Sequence, residues 1–148
     1  MKDVKGVEHR LEYVRTINEV EFINDSKATN IDSVIVAINT YKQPIVLILG
    51  GFNKGANFRL LLPHIKSSHV RDIVSYGDAG GHINTALGDA VRSVQVTDLS
   101  SAVKKAQLMA APGDIVLLSP GCASYDEFSN FEERGNHFKS IIKNLATS

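Results

Sequence analysis

The side chains of this 148-residue chain that could do chemistry fall in three short stretches. Asn24-Asp25-Ser26-Lys27-Ala28-Thr29-Asn30 packs a carboxylate, an ammonium, two hydroxyls and two amides together. Its plainest role is a helix entrance, which needs only one of these as a cap. Lys27 suits that role badly, because its charge opposes the positive start of a helix unless an anion is also bound. In Gly50-Gly51-Phe52-Asn53-Lys54-Gly55 the glycines let the backbone approach a ligand and Lys54 offers a point charge for a carboxylate or phosphate. The alternative is a tight turn with a solvated lysine. The stretch is not a P-loop, since Ala56-Asn57 stands where Lys-Ser/Thr is required, and it lacks the Gly-x-Gly-x-x-Gly dinucleotide fingerprint.

In the third stretch, Ser119-Pro120-Gly121-Cys122-Ala123-Ser124-Tyr125, small residues leave room for a ligand. The Ser124 hydroxyl and the N–H groups after it could hold a carboxylate, or Ser124 could simply cap the next helix. Cys122, the lone cysteine, reads as a buried spectator more readily than as a nucleophile. Glu132-Glu133-Arg134 reads as a solvated helix face. The five histidines show no metal-ligand spacing, so no structural metal is expected.

Alternation and turn chemistry predict a β-hairpin from residues 12–17 and 20–23, with its turn at Asn18-Glu19. Apolar residues at helical spacing follow over 31–41, then the continuous apolar run 45–49, which suits a strand buried on both faces. A short helix around Leu60 to Ile65, a strand over 70–76, a helix over 79–87 and a strand over 93–96 continue the pattern. Asp98 can cap a helix reaching about Ala111, Pro112-Gly113 breaks it, and 114–119 is another buried strand. The last helix is expected from about Tyr125 to Leu145. Strands alternating with helices need crossovers, so the reading is one Rossmann-like α/β domain, a three-layer αβα arrangement with a mostly parallel sheet and an N-terminal β-hairpin. In such sheets ligands sit beyond the carboxyl ends of the strands, where all three stretches belong.

Composition narrows the function. Lys+Arg 16 against Asp+Glu 16 excludes the broad basic field of a general nucleic-acid binder, so any anion must be met locally. One cysteine excludes an internal disulfide framework. No apolar run approaches the ~20 residues of a membrane span, and residues 1–5 are followed by no apolar signal region. The chain is therefore expected to be soluble and cytoplasmic, without membrane insertion.

The ordered motifs His9-Arg10, Ile23-Asn24-Asp25-Ser26-Lys27-Ala28-Thr29-Asn30, Gly50-Gly51-x-x-Lys54-Gly55-x-x-Phe58, Ser119-Pro120-x-Cys122-Ala123-Ser124 and Asn130-Phe131-x-x-Arg134-Gly135 closely resemble the C-terminal domain of the Mur ligases, in particular those that add D-glutamate. The resemblance spans essentially the whole chain. It implies the third domain of a three-domain ATP-dependent ligase, working with Mg2+ held mainly by an absent central domain, and inactive when alone. In that reaction ATP phosphorylates the carboxylate of UDP-N-acetylmuramoyl-L-alanine, and the amine of D-glutamate attacks the acyl phosphate. The resemblance implies that Thr29 and Lys54 bind one carboxylate of D-glutamate, and that Ser124, with the backbone near Tyr125 and Phe131, binds the other. It assigns Arg10 and Asp25 to the adenine nucleotide and Lys27 to screening phosphate charge as the catalytic cation. Two departures stand out: Asn53 and Asn57 where the family loop is commonly acidic, and Tyr125 in place of a commoner aliphatic residue. A stand-alone dicarboxylate- or nucleotide-binding module, and a ligase for another amino acid, are the alternatives.

Overall fold

The turn at Asn18-Glu19 sets the first pairing. Both residues take positive φ, 53° and 65°, the geometry of a two-residue hairpin turn whose twist matches the flanking strands. β1 (Glu12–Ile17) and β2 (Val20–Asn24) therefore run antiparallel, closing on the pair Ile17 and Val20. The computed structural model describes residues 7–145, so the reading of residues 1–5 lies outside the described residues.

β3 (Ile45–Gly50), β4 (Val70–Tyr76), β5 (Arg92–Gln95) and β6 (Ile115–Gly121) complete a sheet of order β1-β2-β6-β3-β4-β5. Every pairing other than β1 with β2 is parallel. All six residues of β3 are buried, as a central strand covered on both faces requires. Alternation along β3 then divides the core. Ile45, Leu47 and Leu49 face α1 (Ile31–Thr40), α2 (Leu62–Ser67) and α3 (Gly80–Leu87), whereas Val46 and Ile48 face α4 (Leu99–Met109) and α5 (Phe131–Lys143). A 3-10 turn, Phe58–Leu61, leads into α2. The three layers and the hairpin are those expected from the sequence pattern.

The last helix differs. It starts at Phe131, not near Tyr125, because the Asn130 side chain accepts from Glu133 N–H at 2.8 Å and Ser124 does not cap it. Glu133 in turn accepts from Ser129 N–H at 2.9 Å, which closes the entrance from both sides. Residues 122–130 form a loop at the carboxyl end of β6. Helix α5 also turns Arg134 inward beside Gly135, Phe138 and Ile142, so Glu132-Glu133-Arg134 is not a wholly solvated face. Among the described residues no helix is long and apolar enough to cross a membrane.

Phe138 is fully buried between α5 and the sheet, whereas Leu108 on α4 is 81% exposed. Phe138→Ala is expected to destabilise the domain by roughly 3–5 kcal/mol in urea unfolding, and Leu108→Ala by less than ~0.5 kcal/mol.

Candidate functional site

β2, β6 and β3 are neighbours in the sheet and run parallel, so the loops after them leave side by side. Main-chain hydrogen bonds stitch these loops together: Gly121 N–H to Ala28 carbonyl and Phe52 N–H to Ala123 carbonyl, both 2.8 Å. Arg134 ties them from beneath. Its Nε donates to Ser26 Oγ (3.0 Å), Nη2 to Ser26 carbonyl (2.8 Å) and Nη1 to Cys122 carbonyl (2.9 Å), with no part of the residue exposed. Ser26 passes its own hydroxyl proton on to the Phe131 carbonyl at 2.7 Å. Gly51 completes the joint: its φ is +126°, and a Cβ there would stand 2.5 Å from Ala123 carbonyl and 3.1 Å from Arg134 Nη1.

The helix-entrance role of the first stretch falls to Asn30, whose side chain accepts from Ser33 N–H at 2.9 Å. Asp25, Lys27 and Thr29 are thus left over from capping. Asp25 is buried, accepting from Leu11 N–H at 3.1 Å and Ser119 hydroxyl at 2.9 Å. Burial pushes its carboxyl up to about 6, against the lowering effect of those two hydrogen bonds and the nearby Arg10 charge. Arg10, Asp25 and Lys27 line one cleft of about 200 Å³ with Ser33 and Val36. Thr29 and Lys54 line another, of about 420 Å³, with Asp32, Phe52 and Cys122. The chain passes from the first cleft at Ala28 to the second at Thr29.

Ser124, Tyr125 and Phe131 lie apart from both linings. Ser124 is buried, and its carbonyl accepts from Glu127 N–H (3.1 Å) and Phe128 N–H (2.8 Å). Tyr125 is exposed and meets the Phe52 ring edge-on, centroids 6.2 Å apart, at the lip of the second cleft. The Phe131 ring packs edge-on against His9, 6.1 Å between centroids. Cys122 lines the second cleft, but burial pushes its thiol up to about 12, partly offset by Arg134, so it stays protonated at neutral pH.

Two supports were not singled out by residue type and spacing. Arg134 sits four residues before Phe138 on the apolar face of α5, a signal visible as a cation on a buried stripe. His9 is buried against Gly135, where a Cβ would collide with its Nδ1, and that nitrogen faces Asn24 Nδ2 at 3.0 Å. Since an amide NH2 can only donate, Nδ1 accepts and the ring proton sits on Nε2. His9 carbonyl receives Lys27 N–H at 2.9 Å, so this segment braces the first stretch. Glu8, His9 and Glu12 bring potential metal-ligand atoms within 4.8 Å of one another. Lys139 Nζ already donates to both carboxylates, 2.8 Å to Glu8 and 3.1 Å to Glu12, and supplies the local positive charge.

The sequence profile of the family described as Mur ligase, glutamate ligase domain, matches residues 9–122. A UDP-N-acetylmuramoylalanine--D-glutamate ligase from Clostridioides difficile (strain 630) is 46% identical over 98% of this chain and 33% of its own length. Its counterpart from Chlamydia caviae is 44% identical over 93% of the chain and 32% of its own length. The chain thus spans about a third of the length of these relatives. Among solved structures, a bifunctional folylpolyglutamate synthase/dihydrofolate synthase from Yersinia pestis CO92 superimposes with TM-score 0.66 at 16% identity, over 95% of this chain and 32% of that one. A UDP-N-acetylmuramate-alanine ligase from Thermotoga maritima does so with TM-score 0.64 at 15% identity, over 93% and 30%.

Removing the Arg134 fork leaves buried carbonyls of Ser26 and Cys122 without a donor. Arg134→Met is expected to cost roughly 3 kcal/mol in denaturant unfolding and to speed amide exchange in residues 122–130. The folded pKa of Asp25, about 6, lies above its unfolded value near 3.8, so its contribution to stability is greatest below pH 4 and is lost as pH rises through 6. The stability of Asp25→Asn relative to the parent should therefore rise by up to about 3 kcal/mol between pH 4 and pH 7. A difference independent of pH over that window would contradict the assignment.

Proposed function

The chain belongs to the Mur ligase family as its glutamate ligase domain, and from that premise we propose that it is the third of three domains of an ATP-dependent ligase joining D-glutamate to UDP-N-acetylmuramoyl-L-alanine. The observation that carries the reading is the sorting of side chains: Thr29 and Lys54 share one cleft, and Arg10, Asp25 and Lys27 share its neighbour. A small diacid and a nucleotide need those two different environments, held at a fixed separation.

In this reading the Lys54 ammonium and Thr29 hydroxyl take one carboxylate of D-glutamate. An ammonium suits a carboxylate that must bind and leave, since it is a compact charge on a flexible stem. Ser124, with the main chain near Tyr125 and Phe131, takes the other carboxylate. Asp25 accepts a ribose hydroxyl, Arg10 meets base or phosphate, and Lys27, exposed at the cleft, screens phosphate charge during transfer. ATP supplies the phosphoryl group that activates the acceptor carboxylate. Two cations to one carboxylate in the first cleft suit a polyphosphate and not Mg2+, whose oxygen ligands belong to the rest of the ligase. The rigid stitching of the loops keeps the amine of the amino acid aimed at the activated carboxylate, a positioning effect of several kcal/mol on the barrier.

In the complete ligase, Lys54→Ala is expected to raise the KM for D-glutamate roughly 10- to 100-fold and leave the KM for ATP within about two-fold. Asp25→Ala is expected to do the reverse. Steady-state kinetics with each substrate varied in turn decides between them, and an unchanged KM for D-glutamate in Lys54→Ala defeats the assignment.

A further inference from the structure

The turn between β4 and α3 lines neither of the two clefts, yet its one carboxylate reaches the loop that carries Lys54. Asp78 Oδ2 accepts from Asn53 N–H at 3.0 Å, across 25 residues of chain. Asn53 Oδ1 in turn accepts from Gly55 N–H at 2.9 Å. Lys54 is therefore held on both sides, its preceding residue by Asp78 and its following residue by Asn53. A second link enters the same turn: Asp126 Oδ2, from the loop that carries Ser124, accepts from Asp78 N–H at 3.2 Å. Gly77, at φ +73°, makes room for it, since a Cβ there would collide with the Asp126 carboxylate.

An exposed aspartate beside a helix start ordinarily caps that helix. α1, α4 and α5 are capped by the side chains of Asn30, Asp98 and Asn130, whereas α3 starts at Gly80 with Ala79 at its cap position and no side-chain cap, although Asp78 stands next to it. The Asp78 carboxylate serves the Lys54 loop instead. Ala79 N–H to Gly51 carbonyl, 2.9 Å, adds a main-chain bond between the same two loops.

We infer that Asp78 is a positioning residue that sets the Lys54 ammonium for the amino-acid carboxylate, and that Asp126 joins it to the Ser124 loop so that both halves of the amino-acid cradle move as one. This rests on the assignment of Lys54 to D-glutamate made above. Neither aspartate lines the cleft of Thr29 and Lys54. Each acts through one backbone N–H, so the effect is that of a lost charge-assisted hydrogen bond transmitted to a flexible side chain.

The test is a double-mutant cycle in the complete ligase, with Asp78→Ala, Lys54→Ala and both together. Asp78→Ala is expected to raise the KM for D-glutamate about 3- to 10-fold while kcat and the KM for ATP stay within about two-fold. Asp78→Asn, which keeps an acceptor oxygen, should restore most of the loss. In the Lys54→Ala background Asp78→Ala should add nothing, because the group it positions is gone. Additive effects, or a uniform loss in kcat and both KM values, would mean a general structural role and overturn the inference. If Lys54→Ala raises the KM and Asp78→Ala does not, the inference fails and the assignment of Lys54 stands. If neither raises it, the assignment itself fails. Should Asp78→Ala not fold, Asp126→Ala takes its place with the same selective rise expected and the same outcomes against it.

Discussion

The Arg134 guanidinium is the joint on which the functional edge of the sheet depends. A fully buried cation is expensive to desolvate, and it persists only where its donors are met. Here the partners are two main-chain carbonyls and a hydroxyl, from loops that are 108 and 12 residues away in sequence. Because a planar fork fixes the directions of its N–H bonds, it holds the loop after β2 and the loop after β6 at one spacing. The start of α5, set by the Asn130 cap, is what brings Arg134 to this place. Residues 122–130 run as a loop from β6 to the Asn130 cap, and starting α5 at Phe131 puts Arg134 in its first turns with its side chain buried.

Beyond that joint the site separates charges by depth. Asp25 lies buried with its carboxylate accepting from Leu11 and Ser119, while Lys27 and Lys54 stand in solvent on neighbouring clefts. Burial makes the ionised form of Asp25 costly in the free protein. On the proposed assignment, a ribose hydroxyl donating to Asp25 would favour that ionised form, which would link nucleotide binding to deprotonation of Asp25. Lys27 and Lys54 are exposed, so their side chains can turn toward an anion.

The relatives divide fold from chemistry in an instructive way. Structures only 15% and 16% identical to this chain retain its architecture, because a sheet buried on both faces needs apolar residues of suitable volume at alternating positions and not particular ones. Relatives 44% and 46% identical are D-glutamate ligases. The contrast is physical: a core position constrains size and polarity, whereas a carboxylate-binding position constrains a functional group at one point in space.

Much of the architecture was legible from pattern. The 45–49 run announced a central parallel strand, Asn18-Glu19 announced the hairpin, and Asp98 announced the start of α4, each through a local rule of burial, turn geometry or capping. Polar clustering also picked out the stretches that meet at the sheet edge. The roles of Thr29, Lys54, Arg10 and Asp25 came from family resemblance and not from spacing. Arg134 is read among Glu132 and Glu133 as solvated when it is fully buried, although its spacing from Phe138 puts it on the apolar stripe, and the start of α5 is set by Asn130 and not Ser124. Pattern could not reach the division of the first stretch between two clefts, or the reach of Asp78 to Asn53. Burial periodicity, turns and caps are decided by residues a few positions apart, so the linear chain contains them. Which buried charge meets which carbonyl depends on elements a hundred residues apart being brought to one edge, and that proximity exists only once the sheet has formed.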